Sequence, residues 1–293
     1  MKDIIVIMGP TGVGKTKLSI MLAKKYNAEI INADSMQIYK GLDIATAKIT
    51  NEEMEDIKHH LLDIKDVNEN YTVYDYQKDC RNKIKEILKR NKKVIIVGGT
   101  GLYIKAALFN YEFSENKAPA NNYDELTNEQ LLSEIKKYNK EIDIHINNRK
   151  RLVRYLNKYE SNEIITDKKD EILYDATFIA LTTSREKLYD RINKRVDEMI
   201  NIGLIYEVNK YKDYLKTSKA MQTGIGYKEF LPYYNNEISI EEVVENIKKN
   251  SRHYAKRQYT FFKNQFPNIN WFYTNFENFQ ETFQEVCDYL EQN

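Results

Sequence analysis

The chain has 293 residues, 42% of them hydrophobic, two cysteines and a formal net charge of +1. This length allows one large domain or one domain with an insertion, and no apolar run approaches the roughly 20 residues that span a bilayer. The start runs straight into a strand-like segment without a secretory signal, and Cys80 and Cys287 form neither a metal-ligand spacing nor a disulfide framework, so a reducing cytoplasm is expected; the near-zero charge argues mildly against a nucleic-acid partner, although a mean hides patches.

Ile4–Met8 is a continuous apolar run that suits a strand buried on both faces of a parallel sheet. Directly after it, Gly9-Pro10-Thr11-Gly12-Val13-Gly14-Lys15-Thr16 fits G-x-x-x-x-G-K-[ST] and leads into a helical pattern at Leu18, Met21 and Leu22. Strand, loop and helix in that order are the context this phosphate-binding motif requires. Glycines let backbone N–H groups turn onto phosphate oxygens, and the helix N-terminus adds positive character. Lys15 supplies a point charge, and the Thr16 hydroxyl is placed to bind Mg²⁺. The motif specifies phosphate; it does not specify a nucleoside triphosphate.

Residues 29–33 are the next strand candidate and are followed by Asp34-Ser35-Met36-Gln37. Ligands of doubly wound sheets gather at the C-terminal strand ends, so Asp34 is expected near the phosphates. An anion there needs a task, such as accepting a proton or binding metal through water. Asp34 with Gln37 fits a helix-capping box equally well, and spacing leaves both readings standing. Cys80, Ile84, Ile87 and Leu88 then mark a helix, and residues 94–97 a strand that ends in Gly98-Gly99-Thr100. An NTPase usually carries a metal-holding Asp after such a strand, and no carboxylate stands here.

From about 111 to 175 the alternation of strands and helices stops. Residues 114–123, with Pro119, read as a linker, Thr127-Asn128-Glu129-Gln130 as a capping box, and 147–159 as a basic helix. We therefore expect an α/β fold: a P-loop-type doubly wound parallel sheet built from 1–110 and 176–293, with a helical insertion at 111–175. Strands are expected at 177–181 and 269–273. On the helix between them Arg191 and Arg195 share a face; they could clamp a diphosphate, but an exposed face paired with Asp190 and Asp197 is the better reading. A capping box at 239–242 opens a long helix that Pro267 ends.

Two basic segments remain. Residues 149–155 hold Arg149, Lys150, Arg151 and Arg154 without an acid, and 248–263 interleave Arg252, Lys256 and Arg257 with Tyr254, Tyr259, Phe261 and Phe262. Cations track phosphates and rings stack on unpaired bases, which suits a single-stranded RNA loop. A solvated basic face is commoner for any one such run; two of them beside a phosphate site favour RNA.

Taken together, these segments resemble the tRNA dimethylallyltransferase (isopentenyltransferase) family. The resemblance is carried by the phosphate loop, Asp34 through Ile44, Thr46-Ala47-Lys48, His59-His60-Leu61-Leu62-Asp63 and Gly98-Gly99-Thr100-Gly101-Leu102-Tyr103. Arg151-Leu152-Val153-Arg154, Arg191-Ile192 with Arg195, Ile225-Gly226-Tyr227-Lys228-Glu229 and Ala255-Lys256-Arg257-Gln258 continue it in the family's order. It implies that Gly9 through Thr16 grip dimethylallyl diphosphate instead of ATP, with Mg²⁺ at Thr16, and that Thr11 and Arg195 assist the leaving diphosphate. Asp34 is implied as general base for N6 of the tRNA adenosine just 3′ of the anticodon, position 37, flipped into a channel. Asp34, Ser35, Met36, Gln37, Thr100, Lys150, Arg151, Leu152, Val153 and Arg154 are implied to lie against the tRNA, and the insertion to grip the anticodon stem-loop. A monomer that needs no membrane is expected. The competing readings are prenylation of free adenine nucleotides, which needs no RNA grip, and a small-molecule kinase, which the missing carboxylate after 94–97 disfavours.

Overall fold

A computed structural model describes residues 1–111, 113, 121–161, 171–266 and 268–292. Most of the expected linker at 114–123, and Pro267, lie outside them.

Six strands form one parallel sheet: β1 (Ile4–Met8), β2 (Ala28–Asn32), β3 (His59–His60), β4 (Lys93–Val97), β5 (Ala176–Thr182) and β6 (Asn270–Tyr273), in spatial order β3-β2-β4-β1-β5-β6. The central strand β1 pairs with β4 (Ile5 opposite Ile95) and with β5 (Ile5 opposite Thr177). Its side chains alternate between two cores. Ile4, Val6 and Met8 join one, Ile5 and Ile7 the other, which is why β1 is apolar at every position. The helix α1 (Lys15–Tyr26) packs Leu18 and Leu22 on the second face. On the first face lie α2 (Val73–Leu88), through Tyr76 and Ile84, and α3 (Gly101–Leu108), through Ile104.

The expected strands appear with edges shifted by about one residue. The sequence reading missed β3, whose two residues are too short for any periodicity and pair as an edge with Ile30 and Ile31. No helix among the described residues is long and apolar enough to cross a membrane.

The chain divides into two compact units, Met1–Phe109 with Ile172–Asn293, and Asn110–Glu171. The division falls at 110–171 where 111–175 was expected. The Leu173 amide donates to Leu108 O at 2.9 Å and Phe109 bridges Ile172, which draws residues 172–175 into the larger unit. The smaller unit has its own core. Leu131 and Ile135 of α4 (Asn128–Tyr138) meet Leu152, Tyr155 and Leu156 of α5 (Arg149–Glu160). Thr127 and Gln130 form the expected capping box of α4, and the Asn148 side chain caps α5.

The last helices of the larger unit are α6 (Arg185–Asn201), α7 (Leu204–Lys210), α8 (Lys219–Thr223), α9 (Phe230–Tyr234), α10 (Ile240–Gln265) and α11 (Phe279–Gln292). Ser239 and Glu242 make the capping box that opens α10.

Candidate active site

The loop between β1 and α1 is built to receive an anion. Gly14 sits at the N-cap of α1 with φ +93°, a conformation that side chains disfavour. A Cβ there would also stand 2.7 Å from the Phe279 ring. No side chain caps the helix and no acid stands in its first turn, so its leading amides point into a cleft of about 1240 Å³. Thr11, Gly12, Gly14, Lys15 and Thr16 line that cleft. Gly9, Pro10 and Val13 are buried behind it and shape the loop.

Lys15 folds back and donates to Pro10 O at 2.7 Å. Desolvation lowers its pKa to about 8; Asp34 opposes the shift and Arg195 adds to it. Arg195 reaches across from α6 and donates to Thr11 Oγ1 at 3.1 Å, and burial lowers its pKa too. Arg191, one turn earlier, donates to Gly12 O at 3.0 Å and lies 3.8 Å from the centre of the Phe276 ring. The expected exposed face holds for Arg191 but not for the half-buried Arg195; both arginines brace the phosphate loop, and Asp197 pairs with Lys248 at 2.8 Å.

Asp34 enters the same cleft from the end of β2. The Asn32 side chain holds its backbone on both sides, accepting from Asp34 N and donating to Asp34 O, each at 3.0 Å. Gly98 lets the end of β4 come close: a Cβ there would stand 2.2 Å from Ala33 O. Asp34 Oδ1 accepts from Met36 N at 2.9 Å and so fixes a turn. No helix follows. Gln37 turns away to donate to Thr46 O (3.1 Å) and Ala47 O (3.4 Å), so the capping-box reading fails. Asp34 Oδ2 has no hydrogen-bond partner among the described residues and lies on the Gly99 side of the cleft. Ser35, Met36 and Gln37 line the cleft beside it. Thr100 stands behind Ser35, accepting from Ser35 N at 3.1 Å.

One residue that ties these strand ends together escaped the sequence reading. Gln258, buried on α10, accepts from Thr11 N at 2.9 Å and donates to Gly99 O at 3.0 Å. It brackets the phosphate loop to the end of β4. Its signal was the Ala255-Lys256-Arg257-Gln258 block, which carried part of the family resemblance but gave Gln258 no role of its own.

The family model for IPP transferase matches residues 37–265. This chain belongs to the IPP transferase family. It is 46% identical over 304 residues to a tRNA dimethylallyltransferase of Anoxybacillus flavithermus, covering 99% of this chain and 96% of that one. A relative of the same description from Geobacillus kaustophilus is 45% identical with the same coverage. Among solved structures, the tRNA Δ(2)-isopentenylpyrophosphate transferase of Staphylococcus epidermidis is similar at 40% identity and a TM-score of 0.75, covering 99% and 98% of the two chains. A eukaryotic dimethylallyltransferase, solved acting on tRNA, is similar at 30% identity and a TM-score of 0.84, covering 98% of this chain and 78% of that one.

In this member of the family the basic helix α5 splits by face. Lys150, Arg151 and Arg154 are exposed, with Arg151 and Arg154 5.5 and 6.0 Å from the Tyr155 ring centre. Leu152 is fully buried in the core of the small unit and its side chain offers no contact surface, while Val153 packs against that core and stays half-buried. Arg149 is structural, donating to Leu126 O at 2.7 Å and Tyr123 O at 2.6 Å. The aromatics of α10 are mostly spoken for. Phe262 is buried and Tyr259 packs on Trp271 with ring centres 4.9 Å apart. The free surface of that helix is cationic, and His253, Lys256, Arg257 and Phe261 line a groove of about 570 Å³. Among the described residues no group of three or more His, Cys, Asp or Glu is placed to hold a metal. The exposed Thr16 hydroxyl in the first turn of α1 therefore fits a metal held chiefly by phosphate oxygens and water.

Proposed function

We propose that this protein transfers the dimethylallyl group of dimethylallyl diphosphate to N6 of the adenosine at position 37 of tRNA. The observation that carries this reading is one cleft in which the phosphate loop, Arg195 and the unpaired Asp34 Oδ2 converge from three separate elements. The names of the relatives support the substrates.

The diphosphate lies on the α1 amides with Lys15 and Arg195 beside it. Mg²⁺, when bound at Thr16, neutralises further phosphate charge. N6 of the adenine attacks C1 of the prenyl group, the C1–O bond breaks, and the bonding pair leaves with the diphosphate. Asp34 Oδ2 takes the proton that N6 loses. The N6 lone pair is delocalised into the ring, so this proton acceptance matters as the bond forms. Charge growing on the leaving group meets fixed positive groups that need little rearrangement, which is where most of the rate gain arises. Asp34 through Gln37 line the path of the base with Thr100 bracing Ser35 from behind, and the exposed Lys150, Arg151 and Arg154 hold tRNA phosphates. The two cysteines are free and buried, which suits the cytoplasm.

The test is mass spectrometry of tRNA incubated with the protein, Mg²⁺ and dimethylallyl diphosphate. One prenyl group on the adenosine next to the anticodon is the expected result. Unmodified tRNA with ATP consumed, or prenylation of free adenine nucleotides only, overturns the proposal.

A further inference from the structure

Residues 43–47 form part of the wall of the cleft, and a buried acid on α7 holds them. Glu207 is 7% exposed. Its Oε2 accepts from the amides of Asp43 (2.9 Å) and Ile44 (2.7 Å), and its Oε1 from the amide of Ala45 (3.3 Å) and the hydroxyl of Tyr227 (2.7 Å). Three consecutive backbone amides converge on one carboxylate, an arrangement that ordinarily cradles an external anion. Here the protein fills its own nest. Lys48 clamps the far side of the segment, donating to Tyr39 O (2.7 Å), Asp43 Oδ1 (2.6 Å) and Asp63 Oδ1 (2.5 Å).

The next two carbonyls of that wall, Thr46 O and Ala47 O, are the acceptors that fix the Gln37 side chain. Gln37 directly follows the turn that Asp34 closes on Met36 N. A continuous run of hydrogen bonds therefore leads from α7 through the wall to the residue beside the proposed base. We infer that Glu207 is a positioning residue for prenyl transfer, setting the wall at 43–47 and, through it, Gln37 against the incoming adenosine. This rests on the function proposed above. Among the described residues the Glu207 carboxylate bonds only to Asp43, Ile44, Ala45 and Tyr227 and not to the phosphate loop, so the diphosphate should bind equally well without it.

The experiment is a double-mutant cycle in single-turnover prenyl transfer to tRNA. Glu207→Gln places an amide N–H₂ against backbone donors and leaves at least one buried amide unpaired, so kcat/KM should fall about tenfold or more. Inhibition by inorganic diphosphate should stay at the wild-type value. Gln37→Ala should lower the rate by itself, and the two changes together should cost little more than the worse one alone. Additive losses, an unimpaired Glu207→Gln enzyme, or weakened diphosphate inhibition overturn the inference. Tyr227→Phe keeps the carboxylate and removes one donor, and it should show a smaller loss of the same kind that disappears in the Gln37→Ala background; it decides the matter if Glu207→Gln does not fold. A wild-type protein that leaves tRNA unmodified would instead sink the function reading.

Discussion

Diphosphate binding should take up a proton in mildly alkaline solution, and Lys15 is the reason. In the protein alone its ammonium is desolvated and its pKa stands at about 8 instead of 10.5. That drop corresponds to about 3 kcal/mol of destabilised charge. A diphosphate on the loop places negative charge beside Nζ and returns the pKa toward its ordinary range or above. Between pH 8 and 10 the free protein then holds Lys15 neutral while the complex holds it charged. The folded pKa is depressed, so the penalty for the charged form acts below pH 8 and fades as pH rises through the folded value; the complex is favoured below pH 8 and loses ground above it. Proton uptake on binding should be about 0.1 at pH 7 and about 0.9 at pH 9, and affinity should fall about tenfold for each pH unit above 8. A phosphate monoester loses its last proton near about pH 6, and an esterified diphosphate such as dimethylallyl diphosphate behaves alike and stays out of this window, whereas inorganic diphosphate keeps a proton that titrates inside it. Titration calorimetry in two buffers of different ionisation heat, with dimethylallyl diphosphate as ligand, measures the uptake directly. Zero uptake at pH 9, or affinity that is flat from pH 7 to 9.5, would refute the desolvation argument. Lys15→Met should abolish the pH dependence and weaken binding at pH 7.

Asp34→Asn should cut single-turnover prenyl transfer by about 10²–10⁴-fold, the usual worth of a general base, while diphosphate inhibition survives. The asparagine keeps the Oδ1 acceptor for Met36 N, so a near-wild-type rate would reduce Asp34 to a turn brace. Changing Arg151 and Arg154 together to Ala should weaken tRNA binding and flatten its salt slope by about 2 in double-logarithmic form, read by filter binding across a salt series; an unchanged slope would leave α5 a solvated face. Arg149→Ala should instead destabilise the small unit by about 1–3 kcal/mol, seen by thermal melting, because it bonds the backbone at Tyr123 and Leu126. Gln258→Leu strands the Thr11 amide and the Gly99 carbonyl and should lower kcat/KM about tenfold with the overall fold intact by circular dichroism; kinetics at the wild-type level would mean the loop holds Thr11 by itself.

The strands and the phosphate loop were legible because their signals are local. A both-faces-buried strand is apolar at every position, and the glycine spacing before Lys15 has few other uses. The capping boxes at Thr127 and Ser239 were readable for the same reason. The site was only partly legible because its geometry is made by contacts between distant segments. Arg191 and Arg195 look like a solvated pair until α6 lays them on Gly12 and Thr11, some 180 residues away in sequence. Asp34 and Gln37 have capping-box spacing, yet Gln37 spends its amide on the carbonyls of residues 46 and 47. Leu152 sits inside a basic run and still faces the core, because a helix that binds on one side must pack on the other. Glu207 carries no local signal, and Gln258 only its place in the Ala255–Gln258 block, which says nothing of its partners. An isolated polar residue on an amphipathic helix reads as surface until its partners appear.

The fold also explains how one phosphate loop serves prenyl transfer without the carboxylate of an NTPase. The strand next to the loop, β4, ends in Gly98 and Gly99, so nothing there can hold a metal against a γ-phosphate. The glycines instead allow the end of β2 to close on β4, with Ala33 N donating to Val97 O at 2.8 Å and Thr100 N to Ala33 O at 3.0 Å. The carboxylate is displaced by one strand, from the end of β4 to Asp34 at the end of β2. A carboxylate beside the loop serves the metal; one a strand further out faces whatever approaches the diphosphate from the open side of the cleft. Any side chain at 99 runs into the Gln258 amide, whose Nε2 lies 2.1 Å from the position of its Cβ, so Gly99→Ala and Gly99→Asp should both impair prenyl transfer; if that displacement sets the chemistry, Gly99→Asp alone should gain metal affinity and should lose the more transfer. A Gly99→Asp enzyme that prenylates tRNA as fast as Gly99→Ala and binds metal no better would show that the position of the carboxylate does not decide between the two chemistries.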